Sequence, residues 1–171
     1  METWQAIISR RNTRTFSEEP IARKDLEQIL EAARRTPSSR NGQRWDFVVC
    51  TEREQLAALS MVWQGAGHVA HSRATVALVT IDDADPHTRE TLQFDLGQAA
   101  MAMAIAAADL GIGSAHSAVS EHKRARELLG LPEDRFCAWL LSLGYPGDRP
   151  LAPITRPKRR DFDEVVHWSH F

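Results

Sequence analysis

Apolar residues recur at helical spacing in three parts of the chain. Residues 2–9 form a short amphipathic segment, and residues 24–35 form a clearer one. The apolar positions of the second segment follow the spacing i, i+3, i+4, i+7 and are Leu26, Ile29, Leu30 and Ala33. Residues 89–110 are apolar on every side in their second half, which predicts a long buried helix that ends at Gly111.

Three compact apolar runs have the length of β-strands. They cover residues 45–50, 74–81 and 136–143, and the second is rich in β-branched residues. We expect Thr51 to cap a helix after the first strand, with Glu54 at the capping-box spacing, and Ser120 to cap another helix. The order of elements predicts a mixed α+β fold, in a single domain over residues 1–171.

Charge and composition restrict the class of partner. The chain of 171 residues carries 21 Lys and Arg against 23 Asp and Glu, a net charge of −2, so no overall basic field favours nucleic acid. The basic residues are instead concentrated in residues 10–14, 34–44 and 156–160. Such local clusters suit a small anion better than a polyanion.

Several classes of site have no signal in the sequence. Cys50 and Cys137 lie in apolar runs, so we expect plain buried thiols, and the histidines show no spacing typical of metal ligands. The N-terminus lacks a basic region followed by an apolar stretch, and residues 96–110 are too short a run to span a bilayer. We therefore expect a cytoplasmic protein without a metal or membrane contact.

Two polar stretches carry most of the chemical information. The first, Arg10–Arg14, places three guanidinium groups beside Asn and Thr, and arginine pairs bidentately with phosphate. The second, residues 36–45, is a polar turn closed by Trp45. Together they favour a site for a phosphorylated aromatic small molecule. The alternative is a solvated helix end followed by an ordinary polar turn.

The same stretches, in the same order, resemble the nitroreductase-like flavoproteins. The matching segments are RRNTRTF, LEQILEAARRTPSSRNGQRWDFVV, DLGQAAMAMAIAAADLGIGSA, LLSLGYP and RPKRRDFDEVVHW. The resemblance covers nearly the whole chain. It implies a mostly antiparallel central sheet flanked by helices, a long buried helix at a homodimer interface and an extended C-terminal arm.

The resemblance also assigns FMN-binding residues. It places the flavin phosphate and ribityl chain on Arg10, Arg11, Asn12 and Arg14. A basic pair in the C-terminal arm, Lys158 and Arg159 with Arg156 as the alternative, would complete the phosphate pocket. The turn that would reach the ring from the other subunit holds Pro37, Ser38, Ser39, Asn41 and Gln43. The segment along the ring is Ser114, Ala115, His116 and Ser117, with His116 as a pocket wall.

The implied activity is an FMN-dependent oxidoreductase without a catalytic side chain. NADH or NADPH would give a hydride to FMN N5 in a ping-pong cycle, and a small acceptor such as a nitroaromatic or a quinone would then be reduced. A flavin-binding carrier or sensor without turnover stays the alternative. Met101 and Ala102 stand where many family members carry Gln and Asn. The chain also lacks the extra helices of longer members, so we expect an open substrate site.

Overall fold

A four-stranded antiparallel sheet forms the centre of the computed structural model, which describes residues 2–171. The strands lie in the order β1-β2-β4-β3 and are β1 Trp45–Cys50, β2 Ala74–Ile81, β3 Gly113–Ala118 and β4 Arg135–Gly144. Every neighbouring pair is antiparallel. The α+β class and the antiparallel sheet are therefore confirmed.

Helices cover both faces of the sheet. The six α-helices within residues 2–171 are α1 Thr3–Ser9, α2 Arg23–Arg34, α3 Arg53–Leu59, α4 Pro86–Asp109, α5 His122–Leu129 and α6 Phe162–Val165. On one face α2 and α4 pack against Val76 and Leu78, and on the other α3 and α5 pack against Ala77 and Val79. Burial on both faces explains why β2 is a continuous apolar run.

Strand β3 was missed by the sequence analysis, which predicted three strands. Its residues, GSAHSA, have neither the β-branched content nor the alternation that identifies a strand. The strand exists because Gly113–Ala118 pairs with residues 139–144 of β4 along its whole length. Tertiary pairing decides the conformation here rather than local propensity.

Helix α4 begins three residues earlier than predicted and ends as predicted. Asp85 caps it, since its carboxylate accepts a hydrogen bond of 2.8 Å from the Thr88 backbone N–H, and Pro86 occupies the first turn. At the other end Gly111 adopts a left-handed φ of 74°, and the Ile112 backbone N–H donates to the Ala107 carbonyl.

Both predicted serine and threonine caps are wrong. Helix α3 starts at Arg53 after Glu52, with no side-chain cap, because the chain stays extended for two residues beyond β1. Helix α5 starts at His122 after Glu121 and has no side-chain cap; the Ser120 hydroxyl donates to the Val62 carbonyl and does not accept a hydrogen bond from the helix.

One side of α4 is exposed in the single chain, contrary to a helix buried on all sides. Phe94 is 70% exposed and Met101 is 48% exposed, while Met103 on the opposite side is fully buried. The C-terminal arm also leaves Trp168 and Phe171 exposed. That residues 1–171 form a single domain stays a prediction. Among residues 2–171, no helix is long and apolar enough to cross a membrane.

Candidate functional site

The arginine-rich segment after α1 is extended and lies along the edge strand β3. Asn12 forms a parallel bridge with Ser114, and the Thr13 backbone N–H donates to the Ser114 carbonyl at 2.9 Å. Thr13 is buried, whereas Asn12 and Arg14 are exposed. Successive residues of an extended segment point to opposite sides, so Thr13 anchors the segment while its neighbours face outward.

Gly113 allows this close approach. A Cβ atom on Gly113 would lie 2.5 Å from Thr13 Oγ1 and 2.6 Å from Thr13 Cβ, closer than van der Waals contact permits. Farther along, the Gly147 backbone N–H donates to the Thr15 carbonyl, and Phe16 packs within contact distance of Gly144. Glycines on the neighbouring backbone therefore fix the position of the whole segment.

A cleft of about 420 Å³ lies between this segment, the sheet and α4. It brings together five of the residues assigned from the sequence: Arg10, Asn12, Ser114, His116 and Arg159. They come from the segment after α1, from β3 and from the C-terminal arm. The arginine cluster, the strand after the long helix and the arm, far apart in sequence, thus meet at one site.

The walls of the cleft are apolar. Helix α4 contributes Leu96, Ala100, Met101 and Ala104, and the sheet contributes Leu78, Trp139 and Leu141. The Trp139 indole N–H donates to Gln93 at 2.8 Å, and the His116 ring meets the Trp139 ring edge-on with centroids 6.2 Å apart. An apolar slot with cations at its rim suits a planar aromatic group that carries an anion.

Arg11 does not line this cleft. Its guanidinium binds the Asp148 carboxylate at 2.9 Å and the Arg149 carbonyl at 2.6 Å. Only 14% of the Arg11 side chain is exposed. The structure therefore places Arg11 as a clamp between the segment after α1 and the start of the C-terminal arm, rather than beside the other candidate ligands.

Arg14 is exposed and lies near a buried histidine. Burial, with smaller electrostatic contributions from Arg14 and His116, lowers the pKa of His68 to about 4. His68 Nδ1 lies 3.1 Å from Ser142 Oγ, and its Nε2 is buried without a hydrogen-bond partner among residues 2–171. A neutral imidazole therefore lies behind the arginine segment.

The side chains of the other candidate residues in β3 and the arm do not line the cleft. Ala115 and Ser117 are buried, and the Ser117 hydroxyl donates to the Ala118 carbonyl. Their backbone can still border the site, because β3 itself does. Lys158 is exposed, and its carbonyl accepts a hydrogen bond from Arg159. Among Lys158 and Arg159, only Arg159 lines the cleft.

The polar turn lies on the other side of α4. Pro37, Ser38 and Ser39 border a groove with Phe94, whereas Asn41 and Gln43 are exposed at the tip of the turn. The cleft and the turn are thus separate within one chain. The assigned contact between turn and flavin ring stays a prediction that requires a second subunit.

Asp95 is a residue that the sequence analysis missed. Its carboxylate is 6% exposed and accepts hydrogen bonds from the Ser39 backbone N–H at 3.1 and 3.3 Å. This interaction holds the polar turn against α4. An acidic residue just before an alanine-rich stretch was the only available signal.

Comparison with known proteins identifies the family. The Nitroreductase family model matches residues 7–66 and 59–145. The chain belongs to the nitroreductase family. A relative from Archaeoglobus fulgidus, provisionally named NADH dehydrogenase/NAD(P)H nitroreductase, is 32% identical over 151 residues, which are 86% of this chain and 87% of the relative. An FMN reductase [NAD(P)H] of Bacillus subtilis is 27% identical over 167 residues, which are 86% of this chain and 67% of that protein.

Solved structures share the nitroreductase fold with this chain. An FMN-dependent nitroreductase from Clostridium difficile R20291 superposes with a TM-score of 0.84 at 22% identity, over 97% of this chain and 99% of that one. A nitroreductase family protein from Streptococcus pneumoniae gives 0.84 at 21% identity, over 95% and 98%. The sheet order and the long α4 are therefore features of a nitroreductase fold.

Proposed function

We propose that this chain transfers electrons from NAD(P)H to a small oxidised acceptor, such as a nitroaromatic compound or a quinone, with both partners using the same cleft in turn. The chain is an FMN-dependent NAD(P)H oxidoreductase of the nitroreductase family. The observation that carries the proposal is the cleft beside Arg10, which combines a basic rim with apolar walls.

The residues present fit FMN. Arg10 and Arg159 lie at the rim of the cleft. The Arg10 side chain makes no hydrogen bond or ion pair within residues 2–171, so its guanidinium is available to a phosphate. The cleft volume of about 420 Å³ falls within the range of ligand pockets, roughly 300–1,000 Å³. When bound there, FMN supplies a carrier for two electrons.

The side chains of the cleft then bind and orient, and none is needed as a nucleophile or general base. Arg10 and Arg14, with Arg159 and Lys158 of the arm, would hold the phosphate and the ribityl chain. Met101 and its apolar neighbours on α4 exclude water from one side of the slot. Polar groups of β3 line the opposite wall, where a backbone N–H can stabilise negative charge that develops on the ring.

We also propose that the active unit is a homodimer. The exposed apolar side of α4, with Phe94 and Met101, would pack against the same surface of a second copy. That arrangement would bring the turn of Pro37–Gln43 to the cleft of the partner. Sedimentation of the flavin-loaded protein should show a dimer, and a folded, flavin-loaded monomer would refute this part of the proposal.

Spectroscopy of the purified protein tests the cofactor and the donor together. The protein should be yellow, and anaerobic NADH or NADPH should bleach the flavin absorption. Arg14→Ala should weaken FMN retention, whereas Arg124→Ala, which removes the same charge from α5 on the opposite face of the sheet, should not. A colourless protein that ignores added FMN contradicts the proposal. Flavin binding without bleaching by either nucleotide would instead indicate a carrier or sensor.

A further inference from the structure

A second, smaller cleft lies between the polar turn and the start of α4, apart from the cleft beside Arg10. Its volume is about 150 Å³, and Arg40 and Arg44 line it from the turn while His87 lines it from the first turn of α4. We call these three residues, with Ser39, the cationic pocket. Its volume is below the range of pockets that enclose whole ligands, so it suits the charged end of a larger molecule.

The side chains of the two arginines in the cationic pocket are unpaired in the part of the chain that the structure describes. Neither Arg40 nor Arg44 makes a side-chain hydrogen bond or an ion pair within residues 2–171. By contrast, the nearby Arg34 and Arg35, at the end of α2, both bind the carboxylate of Glu31 at 2.6 and 2.7 Å. The guanidinium groups of the pocket are therefore available to an external anion.

The turn that carries these arginines is held in place by the fold. The Ser39 backbone N–H donates to Asp95, and the Arg44 carbonyl accepts a hydrogen bond of 2.6 Å from the buried Thr80 hydroxyl. Within the turn, the Gly42 backbone N–H donates to the Ser39 carbonyl at 2.9 Å. The arginines thus extend from a fixed backbone, which reduces the entropy lost when an anion binds.

The chemistry of the pocket favours a phosphate monoester. Thr88 and Thr91 also line it, but their hydroxyls already donate to Asp85 and to the His87 carbonyl, so charge rather than neutral donors dominates. The carboxylate of Asp95 is buried and accepts the Ser39 N–H. Two planar guanidiniums match a dianionic phosphate bidentately, and a Ser39 hydroxyl and the His87 ring can add hydrogen bonds.

We propose that the cationic pocket binds a phosphate monoester of a nucleotide, and that the source is the 2′-phosphate of NADPH. The proposal rests on the proposed function, which supplies a nicotinamide donor. It is consistent with the position of the pocket beside the turn of Pro37–Gln43, the segment assigned to the flavin ring. Since only this phosphate distinguishes NADPH from NADH, the pocket makes NADPH the preferred donor.

Steady-state kinetics of the FMN-loaded protein test the preference. The wild type should show a higher kcat/KM with NADPH than with NADH. Arg40→Asn, in which Asn tolerates the left-handed backbone at φ 53°, and Arg44→Gln should each lower the ratio of the two values at least tenfold. Arg124→Ala is the matched control and should leave the ratio unaltered. A wild type that prefers NADH, or equal losses with both donors, overturns the proposal.

Calorimetry supplies a readout that does not depend on turnover. Adenosine 2′,5′-bisphosphate should bind at least tenfold more tightly than adenosine 5′-monophosphate, and Arg40→Asn should abolish that difference. Equal affinities for the two nucleotides overturn the assignment to a nucleotide. So does inorganic phosphate alone, if it binds as tightly as the bisphosphate and displaces it. A protein that binds no FMN and oxidises neither donor refutes the proposed function. In that case calorimetry still shows whether the cationic pocket binds the 2′-phosphate.

Discussion

Acidification should destabilise the protein through His68, well above the pH at which carboxylates are protonated. The imidazole is 7% exposed, and burial, with Arg14 and His116, lowers its pKa from 6.5 to about 4. In the unfolded chain the group is exposed to water and its pKa returns to about 6.5. Between these values the unfolded state binds more protons, so the free energy of unfolding falls as the pH falls.

The size of the effect follows from the shift. A pKa difference of about 2.5 units corresponds to about 3 kcal/mol in total. Stability from this group is complete above pH 6.5 and is lost as the pH falls towards 4. About 2.5 kcal/mol of it should disappear between pH 7.5 and 4.5. The hydrogen bond between Nδ1 and the Ser142 hydroxyl holds the ring in place, and Nε2 has no partner among residues 2–171 that would stabilise a charged imidazolium.

Urea unfolding, followed by circular dichroism at one protomer concentration and at several pH values, measures how the free energy of unfolding depends on pH. His68→Asn is the matched variant, because its amide can keep the hydrogen bond to Ser142 and does not titrate. The variant should lose much less stability than the wild type over the same pH interval, whatever its stability at pH 7.5. Equal slopes for the two proteins would refute the reasoning. So would an NMR titration that places the pKa of His68 near 6.5.

Three further changes have defined outcomes. Gly113→Ala should lower the free energy of unfolding by about 1–3 kcal/mol and weaken FMN binding, because the new methyl group displaces Thr13. Urea unfolding and flavin titration measure the two effects. Gly67→Ala is the control, because its methyl group would meet open space. Asp95→Ala should lower the free energy of unfolding by about 2 kcal/mol. Asp95→Asn should lower it less, since the amide oxygen still accepts a hydrogen bond from the Ser39 backbone N–H. Burial raises the pKa of Cys137 to about 12, so a thiol reagent should label it in the unfolded protein and not in the native one.

The elements found from the sequence are those that carry their own pattern. Strand β2 was predicted from a short run rich in β-branched residues, and seven of its eight residues are buried between the helices on both faces; α2 was predicted from its apolar stripe. Strand β3 has no such pattern, because its conformation comes from pairing with β4. Ser120 has the composition of a helix cap, yet its hydroxyl binds a carbonyl far away in the sequence.

The candidate site was predictable in residue type and less so in individual role. Arg10 and Arg11 are adjacent and identical, and no local property separates them. The fold separates them, since Arg10 lines the cleft and Arg11 binds Asp148. Asp95 was missed because its partner, the Ser39 backbone N–H, is 56 residues away in the sequence. Long-range pairing of this kind leaves no periodic signal.

The arginines of the cluster make different contacts, and Arg11 binds the start of the C-terminal arm instead of lining the cleft. Its contacts with Asp148 and the Arg149 carbonyl hold the chain where the C-terminal arm begins, about ten residues before Arg159. Arg159 then lines the same cleft as Arg10. Without that clamp, the arm would have few contacts near this end, because residues 152–165 are exposed. Under the proposed function, Arg11 would therefore contribute to phosphate binding by placing Arg159 beside the cleft, and not as a direct ligand like Arg10.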